Sequence, residues 1–431
     1  MAFDLVRVCA FGRDDPDWVA AVRLAGAREH EADGFDIRAF PDDTDLSARL
    51  IAHRPQAIVS FGAPADFPNL MAAPLETRRR WVNFTDPAVT PGTVAERILA
   101  TFLLNVTEAR FPEQPLLSVF TPTYLTGDAI QRPLRSLLAQ SYPNWEWVLY
   151  DDSPDEGRTF AQLQELERTD QRIGAFRGGR PCGAIGEVKR RACGLAKGAM
   201  LVELDHDDAL TPHALRAVVE AHRAFPAAGF FYSDWAEVFE GGGNATYPDG
   251  WGFGFGGYRT ESLGGHDYQV AVAPDINSKT IRHIVSAPNH LRAWTRAAYQ
   301  ASGGHHPDMH VCDDYELVVR TFLTTRMVHI RRFGYVQHYN QTTIGNAQRR
   351  RNAEIQRLTR HLASAYTPRI HRRFAELGVD DFIWRPGDRL DWDTPNPPDA
   401  PYANERYDGS PPSDVRPRSS ATTTRLVTPG C

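Results

Sequence analysis

The chain has 431 residues, of which 42% are hydrophobic and 24% are charged, a composition typical of a globular protein. This length is too great for one compact core, so it predicts two domains and a tail. The formal net charge of −6 argues against a protein that coats nucleic acid, and no apolar run is long enough to cross a bilayer.

Two features of the sequence argue against secretion. The N-terminus, "MAFDLVRVCAFGRDDPDW", lacks the basic start, the apolar run and the cleavage site of a signal peptide. The five cysteines are odd in number and form no CxxC pair, which predicts reduced thiols rather than a disulfide framework. These features predict a cytoplasmic protein.

The first region, residues 1–112, alternates apolar strands with helices. "LVRVCAF" and "FDIRAF" have the pattern of strands, and helical patterns follow them in "WVAAVRLAGAREHEA" and "LSARLIAHRPQAIVSFG", the second of which leads into a third strand. Such alternation predicts a parallel sheet with helices on its faces. Because no catalytic constellation is visible here, we expect a smaller α/β accessory domain.

The second region, residues 113–345, shows the same alternation and carries clustered acids. Its predicted strands include "LLSVFTPTY", "WEWVLY", "IGAFRGG" and "AMLVEL". Two of them run directly into acids, "DDSPDEG" after the second and "DHDD" after the fourth. Open α/β sheets bind ligands beyond the carboxyl ends of their parallel strands, so these acids are expected at a binding edge.

The third region begins near Asn346. Residues 346–385 contain "AQRRRNAEIQRLTRHLASAY" and "TPRIHRRFAELG", which predict helices with a strongly basic face. That face is either solvated or in peripheral contact with anionic lipid or a partner. Residues 386–431 are rich in Pro, Asp, Ser and Thr and are predicted to be disordered.

The stretch "LVELDHDDALTP" raises a choice between two interpretations. Asp205 and Asp207 lie two residues apart, so an extended backbone presents them on the same side. Mg²⁺ and Mn²⁺ prefer oxygen ligands, and in phosphate-handling sites the protein supplies one or two carboxylates. The alternative is an Asp-rich turn ahead of a helix, and the D-x-D pattern alone does not exclude it.

Three further features bear on this choice. Asp151 and Asp152 end a strand, where carboxylates can accept hydrogen bonds from a nucleobase or a ribose. "CDDYELVVRTFL" places an acidic pair directly before an amphipathic helix, and "VQHYNQTT" supplies a histidine after another apolar segment. Each has an ordinary structural explanation, as a turn, as helix N-terminal acids or as a buried histidine.

The order and spacing of all these motifs resemble glycosyltransferase family 2, the inverting enzymes with the GT-A fold, over roughly residues 115–345. "LSVFTPTYL" is similar to the family's "SVIIPTYN" strand, with Leu125 in place of Asn. "SLLAQSYPNWEWVLYDDSPDEG" is close to the consensus, and "LVELDHDD" matches the metal-binding motif. "GGHHPDMHVCDDYEL" resembles the "GGF-(x)n-EDydL" segment, with Asp313 where Glu is usual. The resemblance implies a Rossmann-like, mostly parallel GT-A sheet.

The resemblance also implies roles for the matching residues. Those expected to bind the nucleotide sugar are Pro122, Tyr124, Asp151, Asp152, Lys189, Arg190 and Asp205. Lys189, in "VKRRA", stands where the family's "A-R-N-x-G" stretch has its arginine. Those expected to hold a divalent metal, Mn²⁺ or Mg²⁺, are Asp205, Asp207 and His338. Asp314 aligns with the catalytic base, and Asp313 is the alternative because the sequence does not separate adjacent acids.

A glycine-rich stretch, residues 240–265, lies between the metal motif and the acidic pair. Sugars stack on aromatic rings, so an acceptor-binding lid is one interpretation. The other is a hairpin whose aromatic side chains pack on the sheet. The residues expected to contact the acceptor are Trp251, Phe253, Phe255 and Tyr258.

The resemblance implies the function of a non-processive inverting glycosyltransferase in cell-surface polysaccharide biosynthesis. It would move a sugar from a nucleoside-diphosphate sugar, with UDP as the expected nucleotide, to a carbohydrate or lipid-linked acceptor. Two alternatives use the same fold: a sugar-phosphate nucleotidyltransferase and a catalytically inactive carbohydrate-binding homologue. No nucleic-acid partner is expected, and the protein would work in the cytoplasm or at the inner face of the membrane.

Overall fold

The computed structural model describes residues 5–29, 34–73, 75–78, 80–110, 114–248, 251–283, 288–339, 351–379 and 402–410. Within these residues the strands form two sheets, one of four strands and one of twelve. The smaller sheet comes from the first region of the sequence. Every acid singled out above lies in the larger sheet or beside it.

The first region forms a parallel sheet covered by helices. Its strands are β1 (Val6–Phe11), β2 (Phe35–Phe40), β3 (Ala57–Phe61) and β4 (Trp81–Phe84), in the order β2-β1-β3-β4. Its helices are α1 (Pro16–Glu29), α2 (Leu46–His53), α3 (Pro68–Ala72), α4 (Leu75–Arg78) and α5 (Pro91–Arg110). All the strand pairs are parallel, as the alternating pattern predicts.

The second sheet has a parallel half and a mixed half. Its strands are β5 (Leu117–Thr123), β6 (Trp145–Asp151), β7 (Ile173–Arg177), β8 (Met200–Glu203), β9 (Ala209–Leu210), β10 (Ala228–Phe239), β11 (Asn244–Ala245), β12 (Gly257–Leu263), β13 (His266–Val272), β14 (Arg292–Thr295), β15 (Arg326–Tyr339) and β16 (Glu405–Tyr407). The main path runs β12-β13-β10-β14-β8-β5-β6-β7, and β15 pairs with β10 in parallel. Strands β8, β5, β6 and β7 are mutually parallel, whereas β14 is antiparallel to both β8 and β10.

Helices connect and cover these strands. They are α6 (Gln131–Leu138), α7 (Arg158–Thr169), α8 (Ile185–Leu195), α9 (Ala214–Ala224), α10 (Thr280–His283), α11 (Arg296–Ala301), α12 (Asp313–Thr324) and α13 (Asn352–Glu376). The predicted α/β architecture with a parallel sheet is confirmed. Strands β4 and β14 are among those that were not predicted, because both are only four residues long and lack a distinctive flanking pattern.

The two sheets are joined by polar and apolar contacts. The Arg97 guanidinium of α5 donates to the Ile173 carbonyl at 2.8 Å, and Arg168 of α7 pairs with Asp86 at 2.8 Å. Phe11 and Trp81 of the small sheet belong to the same apolar cluster as the core of the large one. The first region therefore packs directly against the parallel half of the second sheet.

Gly198 allows the chain to pass close to β5 after α8. A Cβ added there would lie 2.4 Å from the Leu116 carbonyl oxygen and 2.7 Å from the Ser118 nitrogen, both of them backbone atoms. We expect Gly198→Ala to lower the free energy of unfolding by about 1–3 kcal/mol, because the strand must shift. Gly179→Ala is the matched control, since a Cβ added at Gly179 would meet nothing within 4 Å. Equal urea midpoints for the two variants would contradict this packing.

The third region departs from its prediction in its helices. Residues 352–376 form one continuous helix, α13, with Pro368 inside it, rather than two helices. A proline normally interrupts a helix, but here Ile370 and Phe374 are buried beyond it, and Phe374 packs on Phe322 of α12 with ring centroids 5.1 Å apart. Thr359 and Ala363 are buried before Pro368, so tertiary packing on both sides of the proline holds the helix together. Residues 346–350 and 380–385 lie outside the described residues.

The prediction of a disordered tail is wrong for residues 402–410. Glu405–Tyr407 forms β16, which pairs in parallel with β15. Arg406 ion-pairs with Asp275 at 2.6 Å, and Tyr407 is buried. The sequence around this short strand is rich in turn-forming residues, and the strand is stabilised by long-range contacts. The rest of the predicted tail, 386–401 and 411–431, lies outside the described residues.

In the part of the chain that the structure describes, no helix is both long enough and apolar enough to span a membrane.

Candidate active site

Parallel pairing brings two acid-bearing segments to one edge of the large sheet. Strands β8, β5 and β6 lie side by side, so their carboxyl ends align. Asp151, at the end of β6, is buried and accepts hydrogen bonds from the Ser153 hydroxyl at 2.6 Å and the Thr123 hydroxyl at 3.3 Å. Burial raises the pKa of Asp151 even though the Ser153 hydrogen bonds lower it.

The neighbouring Asp152 organises a loop. One of its carboxylate oxygens accepts from the Cys182 backbone N–H at 2.7 Å, and the other accepts from the Gly183 N–H at 2.8 Å. It thereby fixes the segment that leads into α8, which carries Lys189. In the structure, Asp152 positions the loop before α8. Direct contact of Asp152 with a nucleotide stays a prediction.

The turn after β5 holds Leu125 in a backbone conformation that favours Asn, the residue that the family pattern has at this place. The φ angle of Leu125 is 48°, in the left-handed region that Asn tolerates better than Leu. The Ser153 hydroxyl accepts from its backbone N–H at 2.8 Å. Pro122 lies inside β5, whereas Tyr124 is 42% exposed beside this turn. Tyr124 is thus available to a ligand at the edge.

The three aspartates after β8 have different surroundings. Asp208 is buried and accepts from the Tyr335 hydroxyl at 2.8 Å and from the His338 backbone N–H at 2.7 Å. It therefore ties the loop to β15. Burial raises the pKa of Asp207, and the Asp205 carboxylate raises it further. The Asp205 side chain is one-third exposed, and its Oδ2 lies 3.5 Å from Nε2 of His290.

The ability of these residues to bind a divalent cation depends on which of their ligand atoms have no other partner. The ring of His338 is partly buried, and its Nδ1 has no hydrogen-bond partner among the described residues. Burial lowers the pKa of His338 to about 4, so the ring is neutral and able to bind a metal. Across the described residues, however, no three His, Cys, Asp or Glu side chains form a ready-made metal site. A divalent cation held by one or two of these side chains would take its remaining ligands from substrate phosphates.

The two adjacent acids at the start of α12 differ in burial, in ion-pair partner and in pKa. Asp313 is buried, and its Oδ2 lies 2.9 Å from Nζ of Lys189. Burial raises the pKa of Asp313 to about 6, although Lys189 opposes this shift. The Asp314 side chain is 26% exposed, and its Oδ2 pairs with Arg292 at 3.0 Å. Burial alone would raise the pKa of Asp314, but Arg292 lowers it below its usual value.

Lys189 and Arg190 have partners other than those the sequence suggested. Lys189 is buried, and its Nζ lies 2.6 Å from Glu203 in addition to the pair with Asp313. Arg190 points outward with a half-exposed side chain and pairs with Glu187 at 2.6 Å. The ammonium group of Lys189 is therefore engaged by carboxylates and supports the acidic pair. Contact of Lys189 or Arg190 with a diphosphate stays a prediction.

Four residues that frame the site were missed in the sequence analysis. Glu203 is fully buried at the end of β8, and Arg292 of β14 lies directly opposite it in the strand register. The His290 ring stacks on Tyr335 with centroids 4.5 Å apart. The available signal was a glutamate inside an otherwise apolar strand, "AMLVEL", together with a lysine in the preceding helix, because buried charges require partners.

The aromatic residues of the glycine-rich stretch form a packed cluster. Trp251 packs edge-on against Trp235 and stacks on Tyr247, in both cases with centroids 5.5 Å apart. The Tyr258 hydroxyl accepts from the Tyr247 N–H at 2.8 Å. Phe255 contacts Tyr402 of the C-terminal segment, and the Phe253 side chain lies outside the described residues. This agrees with the packed hairpin, and acceptor binding by these four residues stays a prediction.

Comparison with known proteins identifies a family that part of this chain resembles. Residues 118–267 match the family model of glycosyl transferase family 2. The chain is similar to the putative teichuronic acid biosynthesis glycosyltransferase TuaG of Bacillus subtilis, with 37% identity over 22% of this chain and 37% of TuaG. It is 30% identical to the putative colanic acid biosynthesis glycosyl transferase WcaA of Escherichia coli, over 28% of this chain and 42% of WcaA.

A third relative is named for its substrates. It is the UDP-Glc:alpha-D-GlcNAc-diphosphoundecaprenol beta-1,3-glucosyltransferase WfgD of Escherichia coli, with 32% identity over 22% of this chain and 35% of WfgD. The chain thus matches less than half of the length of each of these curated relatives. The predicted family resemblance and GT-A-like α/β fold are confirmed by the family match and the observed sheet.

Proposed function

We propose that this chain is an inverting glycosyltransferase that moves a sugar from a nucleoside-diphosphate sugar to an acceptor hydroxyl. The observation that carries the proposal is the environment of Asp314. The Asp314 carboxylate is partly exposed, and Arg292 keeps it ionised. Arg292 also pairs with Glu203, which ends the strand that precedes Asp205 and Asp207. An ionised carboxylate that solvent can reach is what a general base requires.

The chemistry is a single displacement. The acceptor oxygen attacks the anomeric carbon from the side opposite the diphosphate, and its proton passes to a carboxylate oxygen of Asp314. The bond between the anomeric carbon and the diphosphate oxygen breaks, and its electrons leave with the nucleoside diphosphate. One displacement inverts the anomeric configuration. Asp313 is the weaker candidate for the base, because it is buried against Lys189.

Asp207 and Asp205, with His338, would hold the divalent cation, Mn²⁺ or Mg²⁺. Such a cation supplies stabilisation of the negative charge that develops on the leaving diphosphate. Arg132 supports this loop from outside, because its guanidinium donates to the Asp207 carbonyl and pairs with Glu240 at 3.1 Å. The support for this assignment is the unpaired Nδ1 of His338, a residue whose backbone N–H donates to Asp208, the neighbour of Asp207.

The relatives suggest the substrate classes. The name of WfgD specifies a UDP-sugar donor and a lipid-linked diphosphate acceptor. TuaG and WcaA are named for surface polysaccharides. We infer a UDP-sugar donor, a carbohydrate or lipid-linked acceptor and a role in cell-surface polysaccharide synthesis at the cytoplasmic face. The exposed arginines of α13, Arg357, Arg360, Arg369 and Arg372, suit peripheral contact with anionic headgroups there.

Donor binding is the first test. We expect UDP-glucose, UDP-galactose or UDP-N-acetylglucosamine to raise the melting temperature of the protein only when Mn²⁺ is present. A ligand at a hundredfold excess over its Kd stabilises the native state by about 2.7 kcal/mol. Asp207→Ala should abolish the Mn²⁺-dependent shift, because the cation loses a carboxylate.

Asp17→Ala, an exposed aspartate in α1, is the matched control and should keep the shift in full. A cooperative unfolding transition that no nucleotide sugar moves would overturn the proposed function. It would instead favour a carbohydrate-binding protein without activity. Stabilisation by a sugar phosphate together with a nucleoside triphosphate, and not by any UDP-sugar, would favour a nucleotidyltransferase.

A further inference from the structure

Five charged side chains form one continuous chain of ion pairs beneath the proposed base. Glu203 lies in the middle, with Oε1 2.6 Å from Nζ of Lys189 and Oε2 3.2 Å from Nη1 of Arg292. Lys189 reaches on to Asp313 at 2.9 Å, and Arg292 reaches on to Asp314 at 3.0 Å. The order is Asp313, Lys189, Glu203, Arg292, Asp314, so that acids and bases alternate.

The sheet fixes the centre of this chain. Arg292 of β14 is the direct partner of Glu203 of β8 in the antiparallel register, and Glu203 is also paired in register with Phe120 of β5. Glu203 is fully buried and Arg292 is 1% exposed. The position of Glu203 is therefore set by the backbone of the sheet. The position of Arg292 is set by the same pairing.

The charges of the chain do not cancel. Three carboxylates face two cations, so one negative charge is in excess. The side chains of the three inner members are at most 8% exposed, whereas that of Asp314 is 26% exposed. Burying an uncompensated charge is costly, so the excess charge resides where water and an acceptor can reach it. The cluster thus presents one reactive carboxylate and keeps its other members paired.

We propose that Glu203 is a positioning residue for the transfer reaction, which holds Arg292 and Lys189 in place so that Asp314 faces the acceptor. Arg292 is a planar fork that gives one nitrogen to Glu203 and another to Asp314. Without the carboxylate of Glu203, both nitrogens can turn toward Asp314, and Lys189 loses the partner that keeps it against Asp313. The base would then be held in the wrong orientation. This inference rests on the proposed function, with Asp314 as its base.

The test uses the 431-residue chain with UDP-glucose and Mn²⁺ and measures UDP release, with water as the acceptor. Glu203→Gln keeps the shape of the side chain and removes its charge. We expect kcat to fall about 10- to 100-fold, because a misplacement of about 1 Å costs about that much in rate. The KM for UDP-glucose and its Mn²⁺-dependent thermal shift should stay within about twofold, because Glu203 is not among the residues proposed to bind the donor.

Glu146→Gln is the matched control for a purely structural effect. Glu146 is also a buried glutamate in the same sheet, on β6, where it accepts from the Ser118 hydroxyl at 2.5 Å. We expect this variant to lose stability but to keep its kcat. If Glu203→Gln fails to fold, Glu203→Asp serves in its place, because a shorter acid keeps the charge and cannot reach both cations.

The outcomes separate the two proposals. A wild-type protein that shows neither UDP release nor a donor-dependent shift would overturn the proposed function itself. A wild type that releases UDP, with a folded Glu203 variant whose kcat is close to that of the wild type, would overturn only the role of Glu203. That role would also be overturned if kcat fell in Glu146→Gln as much as in the Glu203 variant.

Discussion

Asp314→Asn is expected to lower kcat for UDP release and for sugar transfer by about 10²- to 10⁴-fold, the range that a positioned general base contributes. The amide cannot accept the acceptor's proton, although it keeps the shape of the side chain. Donor binding should be preserved, because Asp314 contacts Arg292 and not the strand-end acids that are proposed to bind the donor. Kinetics with a UDP-sugar and Mn²⁺, together with the thermal shift by the same donor, measure both effects.

Asp313→Asn is the control that separates the two adjacent acids. Asp313 is buried against Lys189, so its loss leaves a buried cation with one partner fewer. We expect a lower melting temperature and a smaller loss of kcat than in Asp314→Asn. A folded Asp314→Asn protein with normal kcat, combined with an inactive but stable Asp313→Asn protein, would move the base to Asp313.

The strand-end acids could be predicted from the sequence because their signals are local. An apolar run followed by acids marks the end of a buried strand, and parallel strands align their carboxyl ends. Asp151 and Asp205 therefore come to one edge, and the structure shows their strands on either side of β5. The same reasoning placed the acidic pair at the start of an amphipathic helix, which is where α12 begins.

The partners of these acids could not be predicted, because they depend on pairing between distant segments. Glu203 and Arg292 are 89 residues apart and meet only because β14 inserts antiparallel beside β8. Lys189 was matched to a family arginine and assigned to phosphate. Its neighbours in the structure, Glu203 and Asp313, come from two other elements. Motif spacing indicates which residue types occur near a site, but only the fold shows which charge each one neutralises.

A similar limit applies at the C-terminus. Composition indicated disorder after residue 386, yet Glu405–Tyr407 adds a strand to β15. Arg406 of this strand ion-pairs with Asp275, which also binds His329 at 2.9 Å. A three-residue strand carries too little periodicity to be recognised, and its stability comes from a charge cluster assembled by the rest of the fold.

That charge cluster gives the second large effect, which is on stability. His329 is fully buried between two carboxylates, with Nε2 2.7 Å from Asp234 and Nδ1 2.9 Å from Asp275, and its ring stacks on Tyr232. We expect His329→Gln to lower the free energy of unfolding at about pH 6 by about 3–5 kcal/mol, the cost of removing one partner from a buried ion pair. Urea unfolding of both proteins at about pH 6 and about pH 9 measures the effect.

The pKa shift of His329 determines how its contribution to stability changes with pH. Burial lowers the pKa of His329, but the hydrogen bonds to Asp234 and Asp275 raise it above its usual 6.5. The folded state therefore binds the proton more tightly than the unfolded state. The resulting stability is fully present below about pH 6.5 and is lost as the pH rises through the folded-state pKa. The deficit of the Gln variant should therefore be largest at about pH 6 and shrink toward about pH 9.

His222 provides a contrast of opposite sign within the same fold. Burial lowers the pKa of His222, so protonation at low pH favours the unfolded state there. His222→Gln should therefore remove a penalty at acidic pH, and any gain should appear as the pH falls below about 6.5.

If the His329→Gln deficit grew with rising pH instead, His329 would be neutral in the folded protein. The cluster of Asp234 and Asp275 would then be held together by their arginine partners, Arg259 and Arg406.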